Sequence, residues 1–546
     1  MKSRLKIGHL ILLFALAVLP FVATFALPYP DERHYTDGAL TMLRDHDWLV
    51  PKTPDGHTRF EKPPLAYWAV AAGFRTLGVS PFAARLPFLL ACCGTIFLTW
   101  RLAQRLTKNN TTAQLAAVIL LAHTQFIFSA TRAMPDALLI FAVTLSATGF
   151  LRLIALGELT TGAFAMAYGG AALAAMSKGL LGVAIVLFAW AFVIARERKF
   201  SAVKKLLHWP SLAIATAVVA AWFAYIIHRY GGAAWSAFFG DQVTTNLHGH
   251  WWSPLARLPQ FAVILAINFL PWSLPALEAW WRGKLPPLTI AHKFILAWCA
   301  ALVVGFSLGA NVSLRYLLPA APLASIFVAQ ILMNTAGVAT VFSLEKTLKV
   351  IIGALLVFNL AALGVNAQWS VTPSVIITVV LFAAATLALG WGALRDKWFS
   401  MAEGLGLAWL LFVPLAFFAA NSILLPDPCQ QMAMTVRRLN LDPAKPILFI
   451  GKPAMASGVR LFLRGHFLIV RAKTEQLDLR EATNFTAILL PATEAGGLIG
   501  HGFAPQPAAL IPGPPPVRDF WSVLRSRTLP EALERHGTRF VLAVHE

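Results

Sequence analysis

The chain has 546 residues, of which 58% are hydrophobic and 13% are charged, with a mean hydropathy of +0.66. A soluble domain carries about 25% charged residues, so a soluble protein of this length could not bury so much apolar surface. The composition therefore predicts a polytopic membrane protein and excludes a disordered chain, a collagen, a coiled coil and a disulfide scaffold. The net charge of +20 would suggest nucleic-acid binding in a soluble protein. In a membrane protein it indicates basic cytoplasmic loops, so we expect no nucleic-acid partner.

Apolar runs along the chain predict thirteen membrane-spanning helices. The first, at about 7–27, is longer than the apolar core of a signal peptide and has no small-residue cleavage site, so we interpret it as a retained span. A short break at 177–179 leaves open whether 162–195 is one span or two. The remaining runs lie near 82–100, 112–130, 134–154, 162–177, 179–195, 210–227, 258–277, 291–310, 316–335, 349–367, 373–392 and 403–425.

Loop charge predicts how these spans are oriented. If the N-terminus is cytoplasmic, alternate loops are rich in Lys and Arg, as the positive-inside rule requires. The segments 28–81 and 228–257 then lie outside, together with a more polar tail over 427–546. The tail alternates short β-like runs with helix-like stretches. The predicted fold is therefore an α-helical membrane domain over 1–426, followed by a small α/β domain over 427–546 outside the membrane.

The segment after the first span carries a cluster of charges. It reads Asp31-Glu32-Arg33-His34-Tyr35, and acidic side chains at a membrane boundary are costly unless they face water or a partner. The structural alternative is a helix N-terminus with Asp31 as its cap and Glu32 near the positive end of the helix dipole.

A second motif follows in the same segment. Phe60-Glu61-Lys62-Pro63-Pro64 contains two prolines that can begin a helix. The structural alternative for Glu61 and Lys62 is a surface ion pair.

Together, the two motifs resemble the GT-C membrane glycosyltransferases of the protein O-mannosyltransferase type, and in particular the bacterial aminoarabinose transferases that modify lipid A. The resemblance is dense over residues 30–90 and becomes scattered further along the chain. The family's Arg-Tyr after the Asp-Glu pair is offset here, because His34-Tyr35 occupies its place and Arg33 comes one residue earlier. The other matching stretches are Asp45–Pro51, Gly78–Pro87, Arg132–Asp136, Ser177–Gly179 and Arg315–Pro319.

The resemblance implies an enzyme of the bacterial inner membrane, with a cytoplasmic N-terminus and a periplasmic C-terminal domain. Such enzymes take a sugar from a polyprenyl-phosphate donor and pass it to a lipid, glycan or protein acceptor, and inversion of the anomeric centre is expected. The preferred hypothesis is transfer of aminoarabinose to lipid A or lipopolysaccharide. Hexose or uronate transfer and protein O-mannosylation are the alternatives.

Several basic residues are candidates for binding the donor phosphate, because the developing charge of a phosphate leaving group needs fixed cations. Lys178 stands between two apolar runs, where a cation is costly unless it has a function or snorkels to the interface. Arg315-Tyr316 ends a stretch that reads similar to Lys-Leu-Pro-Thr-Tyr in the aminoarabinose transferases. The Tyr is present here, the Lys is not, and the added Arg can bind phosphate bidentately. The predicted phosphate-binding residues are Lys62, Lys178, Arg315, Tyr316, Arg33 and His34.

Three carboxylates form the predicted catalytic set. Asp31 is the first candidate, as a general base toward a hydroxyl acceptor or as an orienting group for a phosphate acceptor. Glu32 lies beside it in the sequence. Asp136 is predicted at the outer mouth of the fourth span, where the alternative is a helix cap.

The second outer segment suggests a divalent metal ion. It contains His248 and His250, whose spacing allows chelation, and Glu61 could supply a further ligand. We predict a metal held by Glu61 and His248, while binding of acceptor or sugar, or capping of a turn, are the alternatives for the histidines.

Two other functional classes are less consistent with the chain. A transporter or flippase of lipid-linked sugars would place ionisable residues at mid-membrane and show internal repeats, and the sequence has neither pattern. A polytopic assembly protein with no chemistry, which like the enzyme would have membrane lipids as partners, gives no reason for several charged residues on one face. The enzyme hypothesis predicts that Asp31, Lys62, Lys178 and Arg315 converge on one outward cavity.

Overall fold

The structure is a computed structural model, and most of its described residues are helical. Helices α1 to α11 are Ile7–Ala23, Glu32–Asp45, Leu65–Leu77, Pro81–Thr107, Asn110–Leu121, Thr124–Ala130, Pro135–Ile154, Thr161–Lys178, Leu180–Glu197, Trp209–Tyr230 and Gly232–Trp235. Helices α12 to α20 are Ser253–Asn268, Ser273–Trp281, Ile290–Ser307, Ala321–Asn334, Leu344–Trp369, Pro373–Leu394, Trp398–Leu424, Cys429–Arg438 and Pro453–Phe462.

The structure describes the helical region and parts of the tail. In the helical region it describes 5–23, 31–236, 253–334, 344–369, 373–394, 398–424 and 429–438, without residues 55, 61, 284, 310 and 311. In the tail it describes 441, 445–451, 453–463, 468–471, 484–493, 503–505, 511–512 and 539–545.

All thirteen predicted apolar runs fall on helices, but the helices differ in length and shape. In the described part of the chain, five helices are long and apolar enough to cross a membrane, and up to seven if each of two bent pairs counts as one span. The pair α5 and α6 is bent by 69°, and the pair α12 and α13 by 115°. A multi-helix membrane fold is therefore clear, while the count of thirteen spans stays a prediction.

The region 162–195 consists of two helices. Gly179 has a φ of 81° and separates α8 from α9, because a left-handed residue cannot continue the helix. Glycines also let these helices approach closely: a methyl group at Gly149 of α7 or at Gly182 of α9 would overlap the backbone of α8. Small residues are the usual means of tight helix packing in membranes.

The segment between α1 and α4 folds against the ends of the other helices. The Thr41 hydroxyl of α2 donates to the Lys52 carbonyl at 2.9 Å, and the Trp222 indole of α10 donates to the Leu49 carbonyl at 3.0 Å. A small apolar cluster buries Phe60 with Met176 near the end of α8. Its other buried members are Val50, Trp222, Ile226 and Ala234.

The tail contains a mixed β-sheet. Its strands β1 to β6 are Ile447–Ile450, Leu468–Arg471, Ala487–Pro491, Phe503–Pro505, Ile511–Pro512 and Arg539–His545. The order is β2-β1-β3-β6-β4, with β5 also paired to β6. Strands β1, β2 and β3 run parallel, and β6 is antiparallel to its three neighbours. All four residues of β1 are buried, as expected for a parallel strand covered on both faces.

Helices α19 and α20 cover one face of this sheet. Their apolar side chains, among them Met432 and Val459, pack with Phe449 of β1. Leu461 of α20 is buried instead in the large core of the helical region. Helix α20 therefore joins the two parts of the molecule.

Candidate active site

Four charged side chains from distant parts of the chain meet at one place. Lys178 Nζ lies 2.5 Å from Asp136 Oδ1, and Arg315 Nη1 lies 3.8 Å from Asp136 Oδ2. Arg315 Nη2 also lies 3.1 Å from Asp31 Oδ2. Asp31, Asp136, Lys178 and Arg315 thus form a continuous chain of alternating charge, which we call the four-charge cluster.

Local structure explains how each member reaches this cluster. Asp136 follows Pro135, which occupies the first turn of α7, and Lys178 is the last residue of α8. Because Asp136 begins one helix and Lys178 ends the next, they share one end of an antiparallel pair. Arg315 lies in the loop before the 3₁₀ turn Leu318–Ala320. Asp31 precedes α2 and makes no side-chain capping bond there, so its carboxylate is directed at Arg315 instead.

The two carboxylates of the cluster differ in accessibility. The side chain of Asp136 is 7% exposed, whereas that of Asp31 is 45% exposed. Lys178 and Arg315 are each 25% exposed. Asp136 therefore lies beneath the two cations and holds them, while Asp31 is open to a substrate.

Glu32 has a different environment from Asp31. Both of its carboxylate oxygens accept hydrogen bonds of 2.8 Å from Arg85 of α4, and the Ala133 amide donates to Oε1 at 2.6 Å. The side chains of Glu32 and Arg85 are 1% and 4% exposed. A carboxylate with three hydrogen bonds and so little exposure is not accessible to a substrate, so we interpret Glu32 as the anchor of α2.

His34 is half-buried near two arginines. Burial, with Arg59 and Arg33 nearby, lowers the pKa of His34 to about 4. At neutral pH its imidazole is therefore uncharged and would act toward a phosphate as a hydrogen-bond partner rather than as a cation. Arg33 is half-buried on the same helix.

The remaining predicted phosphate-binding residues are Lys62 and Tyr316. Lys62 is half-buried just before α3, and Phe60 of the same motif shares an apolar cluster with Met176, two residues before Lys178. Tyr316 stacks on Phe306 with ring centroids 5.1 Å apart.

The predicted metal ligands Glu61 and His248 both lie outside the described residues. Within the described part of the chain, no group of three or more His, Cys, Asp or Glu side chains could hold a metal ion.

Sequence reasoning missed two features of the site. Arg85 lies in the matching stretch Gly78–Pro87, but the sequence did not predict a role for it. An arginine at the start of an apolar helix indicates a buried partner. Tyr35 is buried against Tyr67 at 5.1 Å between ring centroids. Burial raises the pKa of Tyr35 well above 10, and Tyr67 and Asp136 act in the same direction, which places its phenol near the cluster as a neutral group.

The chain is similar to several known proteins. Residues 5–230 match the family model of dolichyl-phosphate-mannose-protein mannosyltransferase. The undecaprenyl phosphate-alpha-4-amino-4-deoxy-L-arabinose arabinosyl transferase of Pectobacterium atrosepticum is 29% identical over 379 residues, which are 66% of this chain and 66% of that protein. An uncharacterized protein of Aquifex aeolicus is 27% identical over 384 residues, which are 67% of this chain and 72% of that protein.

A solved structure shares the fold over nearly the whole chain. The crystal structure of ArnT from Cupriavidus metallidurans bound to undecaprenyl phosphate has a TM-score of 0.71 at 17% identity and covers 99% of this chain and 98% of that one. The apo state of the same protein gives a TM-score of 0.69 at 17% identity, over 98% of each chain. Over residues 5–230 the chain is therefore similar to the protein mannosyltransferase type of GT-C membrane glycosyltransferases, in agreement with the motifs of residues 30–90.

Proposed function

We propose that the protein transfers a sugar, 4-amino-4-deoxy-L-arabinose in the leading version, from a polyprenyl-phosphate donor to lipid A or a similar lipopolysaccharide acceptor. The four-charge cluster carries this proposal, because it sets two cations beside an accessible carboxylate. The curated relative is named for transfer of this sugar from undecaprenyl phosphate, and the crystal structure of similar fold holds undecaprenyl phosphate.

The bond changes define what the cluster must do. The bond between the sugar C1 and the phosphate oxygen breaks, and the electron pair leaves with the polyprenyl phosphate. Lys178 and Arg315 would stabilise the new charge on that phosphate. We include Lys62 among the phosphate-binding residues because it lies in the Phe60–Pro64 motif.

The acceptor determines the task of Asp31. A phosphate oxygen on lipid A attacks C1 without losing a proton, so Asp31 would orient it or stabilise positive charge at C1. A hydroxyl acceptor would instead give its proton to the Asp31 carboxylate. Attack opposite the leaving phosphate inverts the anomeric centre. The exposure of Asp31 and the burial of Asp136 favour Asp31 as the group that touches the substrate.

The proposal includes an orientation in the membrane. The chain would cross the inner membrane thirteen times over residues 1–426, with a cytoplasmic N-terminus and a periplasmic domain over 427–546. The alternation of basic loops supports this topology. Cysteine-accessibility labelling from each side of the membrane tests it.

A divalent metal ion is a further, sequence-based part of the proposal, with Glu61 and His248 as its ligands. Carboxylate and imidazole are ligands that Zn²⁺ and similar ions accept. Elemental analysis of the purified protein and of its Glu61→Gln and His248→Ala variants tests this part.

Purified protein in nanodiscs tests the function. It would be incubated with defined polyprenyl-phosphate sugars and with lipid A or a Ser/Thr peptide, and products would be identified by mass spectrometry. We expect sugar on lipid A from wild type and none from Asp31→Asn. Asp45→Asn is the matched control, because Asp45 ends the same helix and pairs only with Arg44 and Lys52 among its described contacts.

Each other outcome identifies an alternative. Transfer only to peptide would make the protein an O-mannosyltransferase-like enzyme, and transfer of only hexose or uronate would change the donor. Movement of the donor across a sealed vesicle without any product would instead indicate a flippase.

A further inference from the structure

A buried polar contact joins helix α2 to the sheet-bearing tail. The Ser457 hydroxyl donates to Asp37 Oδ2 at 2.7 Å, and Arg460 Nη1 donates to Asp37 Oδ1 at 2.6 Å. The side chains of Arg460 and Asp37 are 4% and 12% exposed. Ser457 and Arg460 are three residues apart on α20 and so lie on the same side of that helix.

The cost of burying a charge makes this contact sensitive to the loss of either partner. A buried carboxylate is costly unless it is paired and hydrogen-bonded, and removal of one partner of a buried pair leaves an uncompensated charge. In the structure, Asp37 meets both requirements through Ser457 and Arg460. The contact therefore fixes how α2 and α20 sit against each other.

Helix α20 is packed into both apolar cores of the molecule. Its residues Ala456 and Val459 are buried in the core beneath the sheet. Leu461 is buried in the core of the helical region, and Phe462 packs against both cores. A helix tied into two cores moves little, so Asp37 is attached to a rigid support.

Helix α2 carries the accessible carboxylate of the site at its start. Glu32 attaches its first turn to Arg85 of α4, and Asp37 attaches its second turn to α20. At a rise of about 1.5 Å per residue, Asp31 and Asp37 lie about 9 Å apart along the axis. Without the attachment at Asp37, α2 could pivot about the pair of Glu32 and Arg85, and Asp31, directly beside that pair, would turn with it.

We infer that Asp37 is a positioning residue for the transfer reaction: through its ion pair with Arg460, the tail holds helix α2 in the place that directs Asp31 toward Arg315. A misplacement of about 1 Å in a site can cost about 100-fold in rate. The tail thereby gains a role in catalysis without touching the substrate. The inference rests on the proposed transfer activity for its kinetic test only.

The kinetic test uses Asp37→Asn in the full-length protein in nanodiscs. Asn keeps the shape and can still accept from Ser457, but it removes the charge that Arg460 faces. We expect kcat per folded molecule to fall about tenfold or more, with the donor KM within about twofold of wild type. Asp45→Asn, on the exposed end of α2, should keep both constants.

Conservative variants separate positioning from general stability. Asp37→Glu lengthens one side chain by a methylene, whereas Arg460→Lys shortens the other. We expect each single variant to lower kcat and the double variant to recover part of the loss. If Asp37→Asn does not fold, Arg460→Lys gives the kinetic result alone, because it retains the charge.

A measurement without substrate completes the test. Hydrogen exchange followed by mass spectrometry should show faster exchange in peptides from α2 of the Asp37→Asn protein, and unchanged exchange in α4. Wild-type kcat in Asp37→Asn, a loss that the unfolded fraction fully explains, or unchanged exchange in α2 would each overturn the inference. If wild type transfers no sugar while exchange in α2 still changes, the proposed function fails and the structural coupling stands.

Discussion

Two adjacent carboxylates, Asp31 and Glu32, each pair with an arginine, yet their environments are opposite. Glu32 meets Arg85 through two bonds of 2.8 Å and is 1% exposed. Asp31 meets Arg315 through one contact of 3.1 Å and is 45% exposed. The residue types are similar and the sequence positions are neighbours, so only the fold distinguishes them.

The difference shows how one helix start serves two purposes. The pair of Glu32 and Arg85 holds α2 against α4 and is buried away from a substrate. Asp31 meets Arg315 at a more exposed place, where its carboxylate can be reached by a ligand. Burial therefore separates the anchoring carboxylate from the one that we propose as reactive.

Breaking the buried pair should have the largest effect. Glu32→Gln leaves the Arg85 charge buried without a counter-charge, so we expect a loss of about 3–5 kcal/mol of folding free energy. Thermal unfolding in detergent and the yield of monodisperse protein measure this. The double variant Glu32→Leu/Arg85→Met should recover much of the loss. A fully stable but inactive Glu32→Gln protein would instead make Glu32 catalytic.

Removing the open carboxylate should affect rate and leave the fold intact. For Asp31→Asn we expect kcat to fall by about 10²–10⁴, with a stability change of about 1 kcal/mol or less because the pair is exposed. Initial rates of sugar transfer, alongside unfolding temperatures, give both numbers. Rates close to wild type would remove Asp31 from the proposed mechanism.

The cations of the cluster should have an intermediate effect. Lys178→Met removes a charge-assisted hydrogen bond worth about 1.5–3 kcal/mol, so we expect kcat/KM for the donor to fall by about 10- to 100-fold. Lys178→Arg, which keeps the charge, should lose less. Kinetics over a range of donor concentrations provide the measurement, and equal losses in both variants would argue against a charge role.

The smallest effect concerns His34, which shares α2 with the two carboxylates. Its pKa in the folded protein, about 4, is below the ordinary value of 6.5. Between these values the unfolded chain takes up a proton that the folded protein does not, so stability should fall as pH falls from about 6.5 toward 4. Unfolding temperatures across this window should fall less steeply in His34→Gln. Equal slopes would exclude a contribution from His34.

Much of the site could be predicted from the sequence because its charges are rare. In a chain with 13% charged residues, a lysine between two apolar runs or an aspartate after a span is conspicuous. Asp31, Lys178 and Arg315 lie together through Asp136, whereas the approach of Lys62 and an outward cavity stay predictions. Helix positions were also predictable, because an apolar run of about 20 residues matches the length of a helix that crosses a bilayer.

The pairings could not be predicted, because they join residues far apart in the chain. Arg85 is 53 residues from Glu32, Arg315 is 284 residues from Asp31, and Arg460 is 423 residues from Asp37. No local pattern specifies which carboxylate meets which arginine. That choice depends on the packing of several helices and, for Asp37, on the placement of the tail.

The glycine contacts between α7, α8 and α9 have a mechanical consequence. Gly149 of α7 and Gly170 of α8 each face the backbone of the other helix with no side chain between them, so we expect α7 and α8 to resist sliding past each other. Asp136 and Lys178 lie at the same end of that pair. When the surrounding bilayer thins or thickens, the two helices should tilt as a unit, and the spacing between anion and cation should stay constant. The charge arrangement at this end of the helix pair would thus stay the same when the thickness of the bilayer fluctuates.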